Sequence, residues 1–255
     1  MKMFFIKLFD KLSNLLFPEK IKCIFCGKDV PNFEEKPYCD ECEGNLPFND
    51  GNRCKICDVE ILENGEVCDL CKHNHKAFDK TRAIFKYEGS VRNVILKFKN
   101  DNAKYLAYPI AKLMTSSLTK DMKNIDMIIP VPSSKETLKK RGYNHSLLLA
   151  NEIGKLLNKP VRNDCLLKIK NTKPQKSLSF KDRKENLAGA FKVVNRKDLK
   201  DKKILLIDDV MTTATTVNCC SDLLKRHAKK IYVLVFARNT TKIEKNQKNL
   251  KKHLT

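Results

Sequence analysis

The sequence predicts an α/β protein, a parallel sheet flanked by helices, with a cysteine-rich, metal-holding module ahead of it. From residue 81 onward, short apolar runs alternate with helix-length amphipathic stretches, the pattern of a sheet covered by helices. Before residue 80, eight of the eleven cysteines stand as four CxxC pairs. The composition, 42% hydrophobic and 32% charged over 255 residues, excludes a disordered or collagen-like chain. A chain of this length buries a core without disulfide staples, so the cysteines need another task.

Taken in order, the first element is an amphipathic helix over residues 1–20. Phe5, Leu8, Phe9, Leu12, Leu15 and Leu16 recur at helical spacing, with Lys7, Asp10, Lys11 and Asn14 opposite and Pro18 as the stop. Its apolar face docks on the protein's own core or lies on a membrane surface. Lys7, Asp10 and Lys11 interrupt what a signal peptide would need as a continuous apolar stretch. The longest apolar run, Ile231 to Ala237, is too short to span a bilayer. The expectation is a cytoplasmic protein, with peripheral attachment to the inner face of the membrane left open by the first helix.

The second element, residues 21–76, carries Cys23-x2-Cys26, Cys39-x2-Cys42, Cys54-x2-Cys57 and Cys68-x2-Cys71. In a reducing compartment, paired cysteines more often hold metal than form disulfides. A CxxC turn grips one ion with two thiolates, and two turns complete a closed tetrahedral site, so two structural zinc ions are expected. A closed site leaves no open coordination position, which argues against a redox or catalytic role. The first four and the second four are expected to pair in sequence order, although an interleaved arrangement would use the same residues. Cys165, Cys219 and Cys220 lack such spacing and are expected to be buried as small apolar residues.

The third element, residues 77–240, is the α/β domain. Its strand-like runs are TRAIFKY, DMIIPVP, KKILLIDDV and KIYVLVFA; its helical stretches are Val91 to Phe98, Leu106 to Leu118, Asn144 to Leu157 and the segment after Thr216. Residues 241–255 form a basic tail. Residues 1–80 hold 12 basic and 15 acidic residues, and the remainder holds 39 basic against 15 acidic. An anionic partner should therefore meet the second half.

ILLIDDVMTTATT, residues 204 to 216, carries the most chemistry. A buried strand ends in two carboxylates and runs through hydroxyl residues into a helix, the place where open parallel sheets bind ligands. Backbone N–H groups at a helix N-terminus, with Thr212, Thr213, Thr215 and Thr216, make a receptor for a phosphate monoester. Asp208 and Asp209 would accept hydrogen bonds from sugar hydroxyls, so the pair suits a ribose 5-phosphate. These thirteen residues resemble the phosphoribosyl-pyrophosphate motif of type I phosphoribosyltransferases, with Ala214 where that loop usually has glycine. If the position needs a positive φ, alanine costs about 1 kcal/mol there.

The resemblance implies a second loop, Val131, Pro132, Ser133, Ser134 and Lys135, that binds pyrophosphate through backbone N–H groups, with Lys139, Lys140 and Arg141 adding charge. PVP, the RGYN segment Arg141 to Asn144, then Thr172, Gln175, Arg183, Asn186 and Gly189 to Phe191 are similar to the pattern of the ComF family of competence-associated proteins. That family implies a double zinc ribbon ahead of a phosphoribosyltransferase-like sheet, over nearly the whole chain. Thr172, Gln175 and Arg183 would belong to a flexible loop closing over the sugar. His145, where glutamine is usual, is expected at the surface or as a cap rather than as a base.

The implied ligand is phosphoribosyl pyrophosphate with Mg. The implied role is support of DNA uptake, with single-stranded DNA and the uptake machinery at the inner membrane face as partners. The implied reaction, if one occurs, replaces pyrophosphate at the anomeric carbon by a nitrogen nucleophile; an active purine- or pyrimidine-type phosphoribosyltransferase of nucleotide salvage is the alternative.

Overall fold

The computed structural model describes residues 22–61, 65–73, 76–172 and 186–239. The expected helix over 1–20, the loop positions Gln175 and Arg183, and the basic tail lie outside these residues. The chain divides into two compact units, Met1–Leu46 and Pro47–Thr255.

In the first unit the cysteine knuckle is a tight reversal: the Cys23 N–H donates to the Lys28 carbonyl at 2.7 Å and the Gly27 N–H to the Cys23 carbonyl at 2.9 Å. Gly27 sits at φ +78°, a conformation that favours glycine. A short helix α1 (Asp40–Glu43) starts directly after Cys39 and carries Cys42.

The second unit opens with a repeat of that knuckle. The Cys54 N–H donates to the Val59 carbonyl at 2.8 Å and the Asp58 N–H to the Cys54 carbonyl at 2.9 Å. Asp58 holds the left-handed position, φ +59°, that Gly27 holds in the first knuckle. The exchange has a use, because the Asp58 carboxylate accepts the Ala83 N–H at 2.7 Å and the Asn49 amide at 3.2 Å. A glycine could do neither. Helix α2 (Asp69–His73) supplies Cys71.

The sheet consists of β1 (Lys80–Lys86), β2 (Met127–Pro130), β5 (Lys203–Met211) and β6 (Lys230–Arg238), all parallel in the order β1-β6-β5-β2. β5 and β6 are central, and Ile204 to Ile207 and Ile231 to Ala237 are buried, as expected of strands covered on both faces. The connecting helices are α3 (Gly89–Asn100), α4 (Ala107–Ser116), α5 (Lys120–Lys123), α6 (Lys135–Arg141), α7 (His145–Leu157) and α8 (Thr215–Lys225). α4 packs on α7, and α8 on β5 and β6. Two short strands, β3 (Leu166–Lys168) and β4 (Phe191–Val193), form a separate antiparallel pair that periodicity did not suggest, since three residues carry no alternation to read.

The second cysteine tetrad is part of this unit's core. Cys54, Cys57, Cys68 and Cys71 share one apolar cluster with Met211, Ala214, Val217, Val233 and Val235. Arg238, only 2% exposed, donates to the Cys57 carbonyl at 2.6 Å while its own carbonyl accepts the Tyr87 N–H. Cys165 and Cys220 are buried as expected and Cys219 is half-buried.

Candidate functional site

β2 and β5 are neighbours, with Pro130 opposite Ile207, and the Val131 N–H still donates to the Ile207 carbonyl at 2.9 Å. The segments that follow the two strands therefore leave the sheet side by side. Ligands of parallel sheets bind at this edge, outside the strands' C-terminal ends. A cavity of about 370 Å³ opens here, lined by Val131, Pro132, Ser133 and Ser134 from the first segment and by Asp208, Asp209, Thr212, Ala214, Thr215 and Thr216 from the second.

The RGYN segment holds the first wall in place. Ser134 caps α6, its hydroxyl accepting the Thr137 N–H at 3.2 Å. α6 ends at Gly142, whose φ of +81° reverses the chain. Tyr143 is buried and its hydroxyl donates to the Phe98 carbonyl at 3.0 Å. Asn144 caps α7: its Oδ1 accepts the Ser146 N–H at 3.1 Å and the Ser133 hydroxyl at 3.0 Å, and its Nδ2 donates to the Val131 carbonyl at 3.0 Å. One side chain thus starts a helix and fixes the loop opposite. Lys135, expected in that loop, instead begins α6, is exposed and does not line the cavity, because Ser134 starts the helix one residue earlier. Arg141 at the other end of α6 does line it.

The second wall turns at Ala214, which adopts φ +60° and lies at the N-cap of α8. The loop thus takes the left-handed geometry with alanine in the glycine position. No side chain caps this helix end, and the Thr213 and Thr215 hydroxyls are 2.8 Å apart. Thr213 and Thr172 do not line the cavity.

Adjacent residues of a strand face opposite ways, and the two acids have different partners. Asp208 accepts the Ser146 hydroxyl and the Asp209 N–H, each at 3.0 Å. Asp209, 6% exposed, pairs with the Lys99 ammonium at 2.7 Å. Burial, then the neighbouring Asp209 charge, push the Asp208 carboxyl up to about 7 against the opposing pull of Lys99. Burial works to lower the Lys99 ammonium, but the attraction of Asp209 and then Asp208 outweighs it and raises the group.

His145 is not at the surface: it is 3% exposed, edge-on to Phe98 and Tyr143, with its Nε2 donating to the Lys99 carbonyl at 3.3 Å. The cap role falls to Asn144. Burial lowers the imidazole to about 4, so it is neutral and suited to holding the end of α3 rather than to moving protons at neutral pH.

Sequence reasoning passed over Lys99. Its signal was position: Val91, Val94, Ile95 and Phe98 form the buried stripe of α3, and Lys99 lies one helical step from Ile95, on the side that faces inward.

The sulfurs of Cys23, Cys26, Cys39 and Cys42 lie within 4.8 Å of one another, as do those of Cys54, Cys57, Cys68 and Cys71. The pairing is therefore in sequence order. Four cysteine sulfurs per site fit tetrahedral zinc. Among the described residues, no helix is long and apolar enough to cross a membrane.

Comparison with known proteins places a double zinc ribbon domain over residues 12–72 and a phosphoribosyl transferase domain over residues 144–254. "Competence protein F" of Haemophilus influenzae is 29% identical over 220 residues, covering 84% of this chain and 88% of that protein. "Competence protein ComFC" of Streptococcus pneumoniae is 25% identical, covering 82% and 96%. "DNA utilization protein YhgH" of Escherichia coli K12 is 23% identical, covering 70% and 80%. Among solved structures, a purine phosphoribosyltransferase from Pyrococcus horikoshii Ot3 aligns over 55% of this chain and 73% of that one, at 20% identity and a TM-score of 0.30.

Proposed function

Because the chain is a ComF-type protein, a double zinc ribbon joined to a phosphoribosyl transferase domain, we propose that it binds phosphoribosyl pyrophosphate with magnesium and works in the uptake or handling of DNA. Asp208 and Asp209 accept the ribose hydroxyls, Thr212 to Thr216 hold the 5-phosphate at the N-terminus of α8, and the loop from Val131 to Ser134 receives the pyrophosphate, with Lys135 at its end. Thr172, Gln175 and Arg183 would close over the sugar. Magnesium, when bound with the ligand, neutralises pyrophosphate oxygens. The observation that carries this reading is the meeting of two strand-end acids, a threonine bend and a second loop in one cavity of a size suited to a sugar phosphate.

The DNA-related role is supported by the relatives named for competence and DNA utilization and by the excess of 39 basic over 15 acidic residues after residue 80. Lysines bind the backbone of single-stranded DNA without reading its bases, so affinity should fall as salt rises. The uptake machinery at the inner membrane face is the partner class that fits.

Calorimetry of phosphoribosyl pyrophosphate with magnesium tests the ligand: the wild-type protein should bind, and the Asp208→Asn, Asp209→Asn double variant should not. Equal binding by both proteins removes the sugar site. For DNA, oligonucleotide binding that is absent, or indifferent to salt, removes the polyanion role.

A further inference from the structure

Recognition of a sugar phosphate by two carboxylates and two loops leaves one enclosed charge without a task. Three lysine or arginine side chains line the cavity among the described residues: Lys99, Arg141 and Lys168. Of these, Lys99 sits on a site carboxylate, 2.7 Å from Asp209 Oδ1. The Lys168 ammonium lies over the Phe191 ring, 5.7 Å from its centroid.

The backbone that carries Lys99 is anchored on the Val131 side of the cavity. Its carbonyl accepts from His145, the preceding Phe98 carbonyl accepts from Tyr143, and Asn144 between those two residues bonds Val131 and Ser133. Strand alternation puts Asp209 and its lysine on the face of β5 opposite to Asp208 and Ser146. The ammonium and the loop expected to take the pyrophosphate line one cavity, and the ammonium ends a flexible four-carbon stem.

A ribose diol that hydrogen-bonds to Asp209 competes with the ammonium for the same carboxylate oxygens. An anionic ligand also meets two aspartates that repel it. Both problems have one solution, in which Lys99 leaves Asp209 as the diol arrives and pairs with an oxygen of the diphosphate on carbon 1.

We propose that Lys99 is a ligand-contacting residue outside the two phosphate loops, a cation that guards Asp209 in the empty site and moves to the C1 diphosphate on binding. Lys99 thereby makes the site prefer a 1-diphosphate over a sugar carrying the 5-phosphate alone. This rests on the reading of the cavity as a phosphoribosyl pyrophosphate site.

The test is calorimetric binding of two probes, phosphoribosyl pyrophosphate and ribose 5-phosphate, each with magnesium, to wild type, Lys99→Met and Lys99→Arg. The wild type should prefer the diphosphate. Lys99→Met should weaken it by about tenfold or more, the scale of one charge-assisted hydrogen bond, while leaving ribose 5-phosphate within about threefold. Lys99→Arg should restore the preference. A merely structural lysine would move both probes together, so equal weakening of the two, or no weakening of either, overturns the proposal. If burying an unpaired Asp209 prevents Lys99→Met from folding, Lys99→Gln keeps a hydrogen-bond donor for that carboxylate without the cation, and the ratio of the two affinities remains the readout. Failure of the wild type to bind either probe sinks the ligand assignment itself, a different result from binding that ignores Lys99.

Discussion

Replacing Asn144 by alanine should cost about 2–4 kcal/mol of stability and loosen the loop from Val131 to Ser134. The side chain does three things at once: it accepts the Ser146 N–H as the cap of α7, accepts the Ser133 hydroxyl, and donates to the Val131 carbonyl. Loss of the cap costs about 1 kcal/mol. Each of the other two bonds, in a half-buried setting, adds about 0.5–1.5 kcal/mol. Asn144→Asp separates these contributions, because a carboxylate keeps both acceptor roles but turns an oxygen toward the Val131 carbonyl in place of the amide donor, so it should cost at least about 1 kcal/mol. Denaturant unfolding of the full zinc-loaded chain gives both values, and titration with phosphoribosyl pyrophosphate should show weaker binding by the alanine variant. A loss below about 1 kcal/mol for Asn144→Ala would refute the reasoning, since one side chain would then not be holding both the helix start and the loop.

Ala214→Gly should change stability by less than about 1 kcal/mol. Relief of the left-handed conformation, about 1 kcal/mol, is opposed by extra chain entropy of about 0.4–1 kcal/mol and by the loss of a buried methyl, about 0.8 kcal/mol. Denaturation checks it, and a loss above about 2 kcal/mol would mean that methyl packing dominates. Because Asp208 is raised to about 7 in the fold, its protonated form is favoured there. The wild type should then lose stability relative to Asp208→Asn as pH rises from about 4 to 7, levelling off above; a pH-independent gap would contradict the burial of that carboxyl. His145, lowered to about 4, should show no NMR titration step between about pH 5.5 and 8. A step near 6.5, its ordinary value, would mean that the ring reaches water. Cys54→Ser with Cys57→Ser should abolish zinc binding at the second tetrad and lower the unfolding midpoint of the strand–helix unit, because those sulfurs share its core with Val233 and Met211. An unchanged midpoint would contradict that shared core.

What the chain says about itself is uneven, for physical reasons. The four principal strands are legible because central parallel strands read as unbroken apolar runs, as in Ile204 to Ile207 and Ile231 to Ala237. The cysteine tetrads are legible because CxxC spacing is set by the ion and not by the surrounding fold. The left-handed bend at Ala214, φ +60°, is legible as a condition, since a loop position usually held by glycine often needs a positive φ.

Other features depend on contacts between distant segments. Lys99 meets Asp209 across 110 positions, and Arg238 reaches the Cys57 carbonyl across 181. The stripe of α3 marks Lys99 as inward-facing, but no local pattern announces the partner of either residue. His145 is buried because Phe98 and Tyr143 close around it, a packing decision that a single polar residue near a helix start does not reveal. Asp58 occupies a turn position that the first knuckle fills with Gly27, and its reason lies in the backbone of β1. The local turn constrains the backbone angle there, and the sheet selects the side chain.

The central claim, that the acids of β5 and the bend before α8 hold one sugar phosphate, is tested most directly by a crystal structure of the zinc-loaded chain with phosphoribosyl pyrophosphate and magnesium. The account predicts a 5-phosphate within hydrogen-bond reach of the backbone amides at Ala214 to Thr216 and ribose hydroxyls on Asp208 and Asp209. A ligand seated elsewhere, or no ligand at saturating concentration, would contradict it.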